Sequence, residues 1–258
     1  MKANYHTHST WCDGKNTPEE MVVAAIEKGF DEIGFSSHAM LPATLLDWGL
    51  SERNIESYAA DIRALADRYK GRIKVLCGVE ADYAPPAASP DRSVFNAIKP
   101  DYIIGSVHFV VAPDGAFVCV DKSPASLEKG IRDHFSGDVK AYVSTYFAQV
   151  RRMMAECDFD IVGHIDLVRK FNEKAPYFSE DAAWYREEIE RTALAAASFG
   201  KTVEINTGAI SRGWLDEAYP SAEFRDLLSK AGVRFVLGSD AHSADALDCA
   251  FGRFPFIP

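Results

Sequence analysis

This sequence predicts an α/β fold built on a parallel sheet, and three observations predict it. Seven short apolar segments read as strands, and amphipathic helical segments fall between them almost throughout. That alternation favours parallel strands, because a crossover helix returns the chain to the same edge of the sheet. At 258 residues the chain is the size of one α/β barrel, and no linker divides it, so residues 1–258 are expected to form a single domain.

The elements follow in order. Lys2–His8 is the first strand. Residues two apart on a strand share a face, so His6 and His8 point the same way and Thr7 points the other. Thr17-Pro18-Glu19-Glu20 opens the first helix. Thr17 caps it, Pro18 suits the first turn and Glu20 completes a capping box. The helix runs to Lys28 and stops at Gly29. Glu32–Ser36 is the second strand. A long amphipathic helix opens at Ser51 and ends near Tyr69-Lys70-Gly71. Ile73–Val79 and Tyr102–Val107 are the third and fourth strands, and a helix over Val139–Ala155 precedes a fifth at Ile161–Gly163. The Ala-rich segment Asp181–Phe199 is helical and ends at Gly200. Thr202–Ile205 is the sixth strand, Ser221–Ala231 a helix, and Val233–Leu237 the seventh strand.

Composition excludes several classes. Net charge is −10, with 28 basic against 38 acidic residues, which argues against a surface made for nucleic-acid phosphates. Five cysteines, odd in number and without a Cys-x-x-Cys pair, suggest neither a thiolate zinc site nor a disulfide framework. A reducing cytoplasm is the expected compartment. Met1-Lys2-Ala3-Asn4-Tyr5 has no apolar signal core, and no run approaches the ~20 apolar residues of a membrane helix. The chain is expected to be a monomer or a small homo-oligomer.

The polar residues carry the chemistry. His6 and His8 end the first strand, His38 follows the second, Glu80 ends the third, His108 the fourth and His164 the fifth. Asp240 and His242 follow the seventh, repeating the two-apart pairing of His6 and His8. Asp13 lies just beyond His8. In a closed barrel, all these strand ends meet at one mouth. Six of the seven histidines share this position; His134 does not, and is expected on the surface or in a loop. Burying so many polar groups unpaired would cost several kcal/mol each, roughly. Metal ions remove that cost by binding neutral imidazole and ionised carboxylate. A nitrogen and oxygen ligand set fits Zn²⁺, Mn²⁺ or Fe²⁺. The nine candidates, His6, His8, Asp13, His38, Glu80, His108, His164, Asp240 and His242, would serve three divalent ions if Glu80 bridges two.

The ordered set resembles one family. His6-Thr7-His8-Ser9 with Asp13, Ser36-Ser37-His38, Gly78-Val79-Glu80, Gly105-Ser106-Val107-His108, Gly163-His164-Ile165-Asp166, Glu204-Ile205-Asn206-Thr207-Gly208 and Gly238-Ser239-Asp240-Ala241-His242 are similar to the PHP (polymerase and histidinol phosphatase) superfamily. Ser106-Val107-His108-Phe109 and Gly163-His164-Ile165-Asp166-Leu167-Val168-Arg169 look most like its histidinol-phosphate phosphatase branch. The resemblance implies a distorted seven-stranded (β/α)7 TIM-like barrel with a trinuclear centre. His6, His8, Glu80 and Asp240 would hold one ion, Glu80, His108 and His164 a second, and Asp13, His38 and His242 a third. The family commonly has Asp where this chain has Ser37. The chain also ends at Phe256-Ile257-Pro258 without an evident final helix.

The implied reaction is hydrolysis of a small phosphate monoester, L-histidinol phosphate, by attack of a metal-bound hydroxide, a step of histidine biosynthesis. Glu80, Asp240 and His242 are the catalytic candidates. Arg169, Arg212 and Asn206 are the substrate-binding candidates, since guanidinium forks suit phosphate oxygens. Lys170 and Lys122 are weaker ones. The loop from Met40 to Trp48 and the segment Val120-Asp121-Lys122 offer an aromatic or acidic wall for the ammonium and imidazole of histidinol. Glu204 is expected to face the cavity with Asn206, Asp166 to orient a ligand or pair with Arg169, and Cys12 to pack beside the metal loop. Other small phosphate esters, a metal-dependent amidohydrolase and a non-catalytic PHP module are the competing expectations.

Overall fold

In the computed structural model, which describes residues 1–42 and 49–255, seven parallel strands lie side by side in chain order. The elements are β1 (Ala3–Asn4), α1 (Pro18–Glu27), β2 (Glu32–Phe35), α2 (Ile55–Arg68), β3 (Lys74–Asp82), β4 (Tyr102–Ser106), β5 (Phe109–Val111), β6 (Phe117–Cys119), α3 (Pro124–His134), α4 (Val139–Glu156), β7 (Ile161–Val162), α5 (Ala183–Ser198), β8 (Thr202–Asn206), α6 (Gly208–Ser211), α7 (Ala222–Lys230) and β9 (Arg234–Gly238). The sheet order is β1-β2-β3-β4-β7-β8-β9, and β5 with β6 forms a separate antiparallel pair. The architecture is the expected α/β barrel, nearly closed.

Closure comes from the segment after β1. The predicted first strand, Lys2–His8, pairs with β2 only over Ala3–Asn4. Beyond Asn4 the chain swings towards the last strand: His8 N donates to the Ala241 carbonyl at 2.9 Å, and Thr7 bridges Ala241 in parallel. Asn4 pins the same seam, donating from Nδ2 to Ser239 Oγ at 2.6 Å and accepting from Ser239 N at 3.1 Å. These bonds leave no long open edge between the first and last strands.

Some of the other expected boundaries hold and others move. The capping box at Thr17 forms as expected, with Glu20 N donating to Thr17 Oγ1 at 3.3 Å and Thr17 N to Glu20 Oε2 at 2.8 Å. The helix expected from Ser51 begins at Ile55 instead, because Ser51 N donates to Asn54 Oδ1 at 2.6 Å and closes a turn first. The third strand continues to Asp82, so Glu80 lies within its ladder, opposite Ile104, and not at its end. The β5–β6 pair, α3 and α6 were not expected. His134 ends α3, where its Nδ1 pairs with Asp114 at 2.8 Å.

The barrel interior is filled below and polar above. Tyr102 spans it, its hydroxyl donating to the Tyr5 carbonyl at 2.6 Å and the Phe35 carbonyl at 3.2 Å. Gly34 and Gly78 lie against this ring, and a Cβ at either would overlap it. Ile104 and Ile161 complete the plug with Leu76 and Val236. Outward residues such as Val203 and Ile205 join the buried layer under the helices, each burial contributing ~1.5–3 kcal/mol. Polar side chains are thereby concentrated at the C-terminal ends of the strands.

Candidate metal centre

Glu80 is the hub of this mouth. Its side chain is 1% exposed, and five imidazoles lie within 3.6 Å of its oxygens, that of His8 the farthest at 3.6 Å from Oε2. His6 Nε2 stands 3.2 Å from Oε2, and His38 Nδ1 3.1 Å from the same oxygen. His164 Nε2 lies 2.9 Å from Oε1, and His108 Nε2 3.5 Å. The ladder places His38 there: it bridges Glu80 in parallel, and Ala39 N donates to the Glu80 carbonyl at 2.7 Å. Ser37, which stands where the family commonly has Asp, engages Glu80 through its backbone, its carbonyl accepting from Glu80 N at 3.1 Å.

The remaining candidates join from the closing seam. Asp240 Oδ1 is 3.4 Å from His8 Nε2, 4.0 Å from His6 Nε2 and 3.6 Å from His242 Nδ1. Its backbone adopts φ 50°, a left-handed conformation that Asp tolerates better than most residues. Asp13 Oδ2 meets His242 Nε2 at 3.0 Å. The His8 ring lies 4.2 Å from that of His242 and 4.4 Å from that of His38. All nine expected ligand residues therefore come together. Four overlapping groups have donor atoms close enough to share an ion: His8, Asp13, His38 and His242; His6, Glu80 and His164; His6, His8 and Asp240; His38, Glu80 and His108.

The electrostatics are those of a centre made for cations. Burial alone would raise the Glu80 carboxyl, yet the imidazoles of His6, His38 and His108 hold it well below the usual carboxylate range. Burial likewise opposes ionisation of Asp240, and Arg212 and His6 reverse it. Burial pushes the His38 imidazole down to about 3, whereas His8 beside Cys12 and Asp240, and His108 beside Asp82 and Glu80, are raised to about 10 against their burial. His6 Nε2, His8 Nε2 and His164 Nδ1 are buried without a hydrogen-bond partner. A buried polar atom so left costs ~1–3 kcal/mol unless something else satisfies it.

A cavity of about 450 Å³ opens above the hub. Arg212, Lys122 and Lys170 line it on one side of the charge balance, and Asp82 and Asp121 on the other. Arg212 donates from Nη2 to Asp240 Oδ2 at 2.7 Å and from Nη1 to the Asp240 carbonyl at 3.0 Å. Lys170 Nζ donates to the Asp121 carbonyl at 3.0 Å and to its Oδ2 at 3.1 Å. A larger hollow of about 880 Å³, lined by Pro42, Leu50, Tyr83 and Pro86, shares Asp82 with this cavity but none of the clustered histidines. Chemistry belongs to the smaller one, where donors converge.

Two expected substrate contacts, Arg169 and Asn206, lie outside the lining of this cavity. Arg169 is 2% exposed and turned away from the cavity. Its guanidinium is engaged by three carboxylates, Glu180 at 2.5 Å, Glu217 at 2.6 Å and Asp166 at 3.4 Å. Asp166 correspondingly pairs with Arg169 and accepts from Ser221 N at 2.8 Å, both through Oδ2. Asn206 is fully buried. It donates to Glu204 Oε2 at 3.0 Å and accepts from Gly208 N at 2.8 Å, which places it beneath the centre. Glu204 also lies beneath, 2.8 Å from His6 Nδ1. Cys12 packs beside His8, Sγ 3.4 Å from Nδ1. Trp48 lies outside the described residues. Sequence reasoning missed Asp82, whose Oδ1 accepts from both the backbone N and Nδ1 of His108 at 3.0 Å. The signal was present: Asp82 is two residues beyond Glu80 and so shares its face.

The family model of the PHP domain matches residues 4–208. The histidinol-phosphatase of Bacillus subtilis is 26% identical over 98% of this chain and 98% of its own length. That of Lactococcus lactis is 26% identical over 94% of this chain and 85% of its own. Among solved structures, a candidate histidinol phosphatase from Listeria monocytogenes matches with a TM-score of 0.85 at 24% identity, covering 98% of this chain and 100% of that one. The histidinol phosphate phosphatase of L. lactis, solved with zinc, L-histidinol and phosphate, matches with a TM-score of 0.65 at 23% identity over 94% of this chain and 87% of that one.

Proposed function

Because this chain belongs to the PHP domain family, we propose that it is a metal-dependent phosphomonoesterase hydrolysing L-histidinol phosphate to L-histidinol and phosphate, a step of histidine biosynthesis. One observation carries the proposal: six imidazoles and two further carboxylates converge around Glu80, leaving buried ring nitrogens without a hydrogen-bond partner, beneath a cavity edged by cations. The relatives named histidinol-phosphatase, at 26% identity across nearly the whole chain, support the substrate.

The donor set fits divalent zinc, manganese or iron. Glu80 would be shared between ions, with His6, His8 and Asp240 on one side, His108 and His164 on another, and Asp13, His38 and His242 holding a third. Bound there, the ions would supply positive charge to phosphate oxygens and make water a better nucleophile near neutral pH.

The chain's own residues do the rest. Arg212 presents a fixed guanidinium at the cavity wall, oriented by Asp240, and Lys122 and Lys170 add charge nearby. A phosphate dianion is therefore drawn to this side. Asp82 and Asp121, the latter paired with Lys170, would meet the ammonium and imidazole of histidinol, with Phe109 as an apolar wall. His242 is the most open of the clustered imidazoles, its side chain 27% exposed. Together with Glu80 and Asp240 it borders the space where the ester bond would lie, and these are the catalytic residues proposed. Small esters are the fitting class, since about 450 Å³ is near the lower end of ligand cavities.

The test is phosphate release from a panel of esters after loading with zinc or manganese. L-Histidinol phosphate should be hydrolysed far faster than a generic aryl phosphate. Equal rates would remove the substrate assignment, and no turnover of any ester by the loaded protein would remove the enzymatic one.

A further inference from the structure

We propose that Glu204 is a positioning residue of the metal centre, holding two of its histidines at once; the inference rests on the metal-centre proposal above. Glu204 lies within β8 and is 1% exposed. Its Oε1 accepts from His6 Nδ1 at 2.8 Å. Its Oε2 accepts from the backbone N of His164 at 3.1 Å and from Asn206 Nδ2 at 3.0 Å. One side chain of β8 thus ties the segments that follow β1 and β7 to its own strand.

The chemistry of that junction is selective. An ionised carboxylate accepts at both oxygens and donates at neither. Donors converge on both ends of Glu204, so a neutral amide of the same shape must misplace its NH₂ at one end. Committing the Nδ1–H of His6 to Glu204 leaves Nε2 as the lone-pair atom. Nε2 is the atom that faces Glu80 at 3.2 Å and Asp240 at 4.0 Å and has no hydrogen bond. Such outer partners fix the tautomer and ring orientation of ligating histidines.

The fold reserves room for this carboxylate. A Cβ at Gly238 would overlap Glu204 Oε1. Gly238 is not among the glycines with positive φ, so its backbone conformation does not call for glycine. The space against Glu204 does.

The experiment is zinc binding to the purified chain by titration against a competing chelator, for wild type, Glu204→Gln, His6→Asn and the double variant. Loss of an outer partner typically weakens metal binding ~10–100-fold, and Glu204→Gln should do so. In the His6→Asn background the same change should cost clearly less affinity than in wild type, because the part of its effect that runs through the His6 ring is gone and only the part through the His164 backbone remains. Unchanged affinity in Glu204→Gln overturns the proposal, as does an undiminished further loss in the double variant. Should Glu204→Gln not fold, nitrogen-15 NMR of histidine-labelled, zinc-loaded wild type decides: the His6 proton is expected on Nδ1, and a proton on Nε2 overturns the assignment. Wild type that takes up no zinc would remove the metal centre itself. Wild type and Glu204→Gln binding alike would remove only the role of Glu204.

Discussion

Arg169 and Arg212 each follow a strand at the barrel mouth, and their surroundings assign them different work. Arg212 is held by Asp240 with its side chain 31% exposed at the cavity wall, while Arg169 is 3% exposed and engaged by Asp166, Glu180 and Glu217. Replacing Arg212 by Ala should raise KM for the phosphate ester ~10–100-fold, the equivalent of a lost charged hydrogen bond. Because Arg212 also holds Asp240, metal affinity should weaken too, so the kinetics are taken at saturating metal. Steady-state kinetics with metal analysis check this, and an unchanged KM would exclude Arg212 from phosphate binding. Replacing Arg169 by Ala should leave KM near its original value and cost ~3–5 kcal/mol of stability, because Asp166 would keep a buried position without its counter-charge. Urea unfolding measures the loss; a variant as stable as wild type would show that the network contributes nothing.

Among the elements, α1 was readable to within a residue because its signals are local. Thr17, Pro18 and Glu20 specify its start without help from remote parts of the chain. Thr17→Ala should therefore lower stability by ~0.5–2 kcal/mol, seen as a reduced urea midpoint with an unchanged slope. An unaltered midpoint would mean that packing alone sets this helix end. The β5–β6 pair was less readable. Each strand has three residues, too few for a period to declare itself, although Asp114-Gly115 between them is a turn signal. Yet this pair brings Phe109 and Cys119 to the cavity and leads directly to Asp121 and Lys122. The ends of β1 and β3 were misjudged for a different reason. A strand stops where its partner stops, and the partner is distant in sequence.

At the scale of the whole molecule, the metal centre joins segments from His6 to His242, so its occupancy should be coupled to folding. A ligand that binds only the folded state stabilises it by ~4 kcal/mol at a thousandfold excess over its Kd. Removing metal with a chelator should lower Tm, and zinc or manganese should restore it. A Tm indifferent to both would sever the centre from the stability of the barrel. No described helix is long and apolar enough to cross a membrane. Which residue types would meet at the mouth was determined by the sequence itself: two-apart pairing on strands and the repeated placement of His, Asp and Glu after apolar runs are local properties of the chain. Tertiary structure alone decided which groups face the cavity and which lie behind it. Glu180 and Glu217 draw Arg169 inward from positions 11 and 48 residues away. Glu204 and Asp82 became partners of His6 and His108 only when strands remote in sequence were brought within hydrogen-bond reach. The direction of a side chain beyond a strand end depends on partners that the local pattern does not encode.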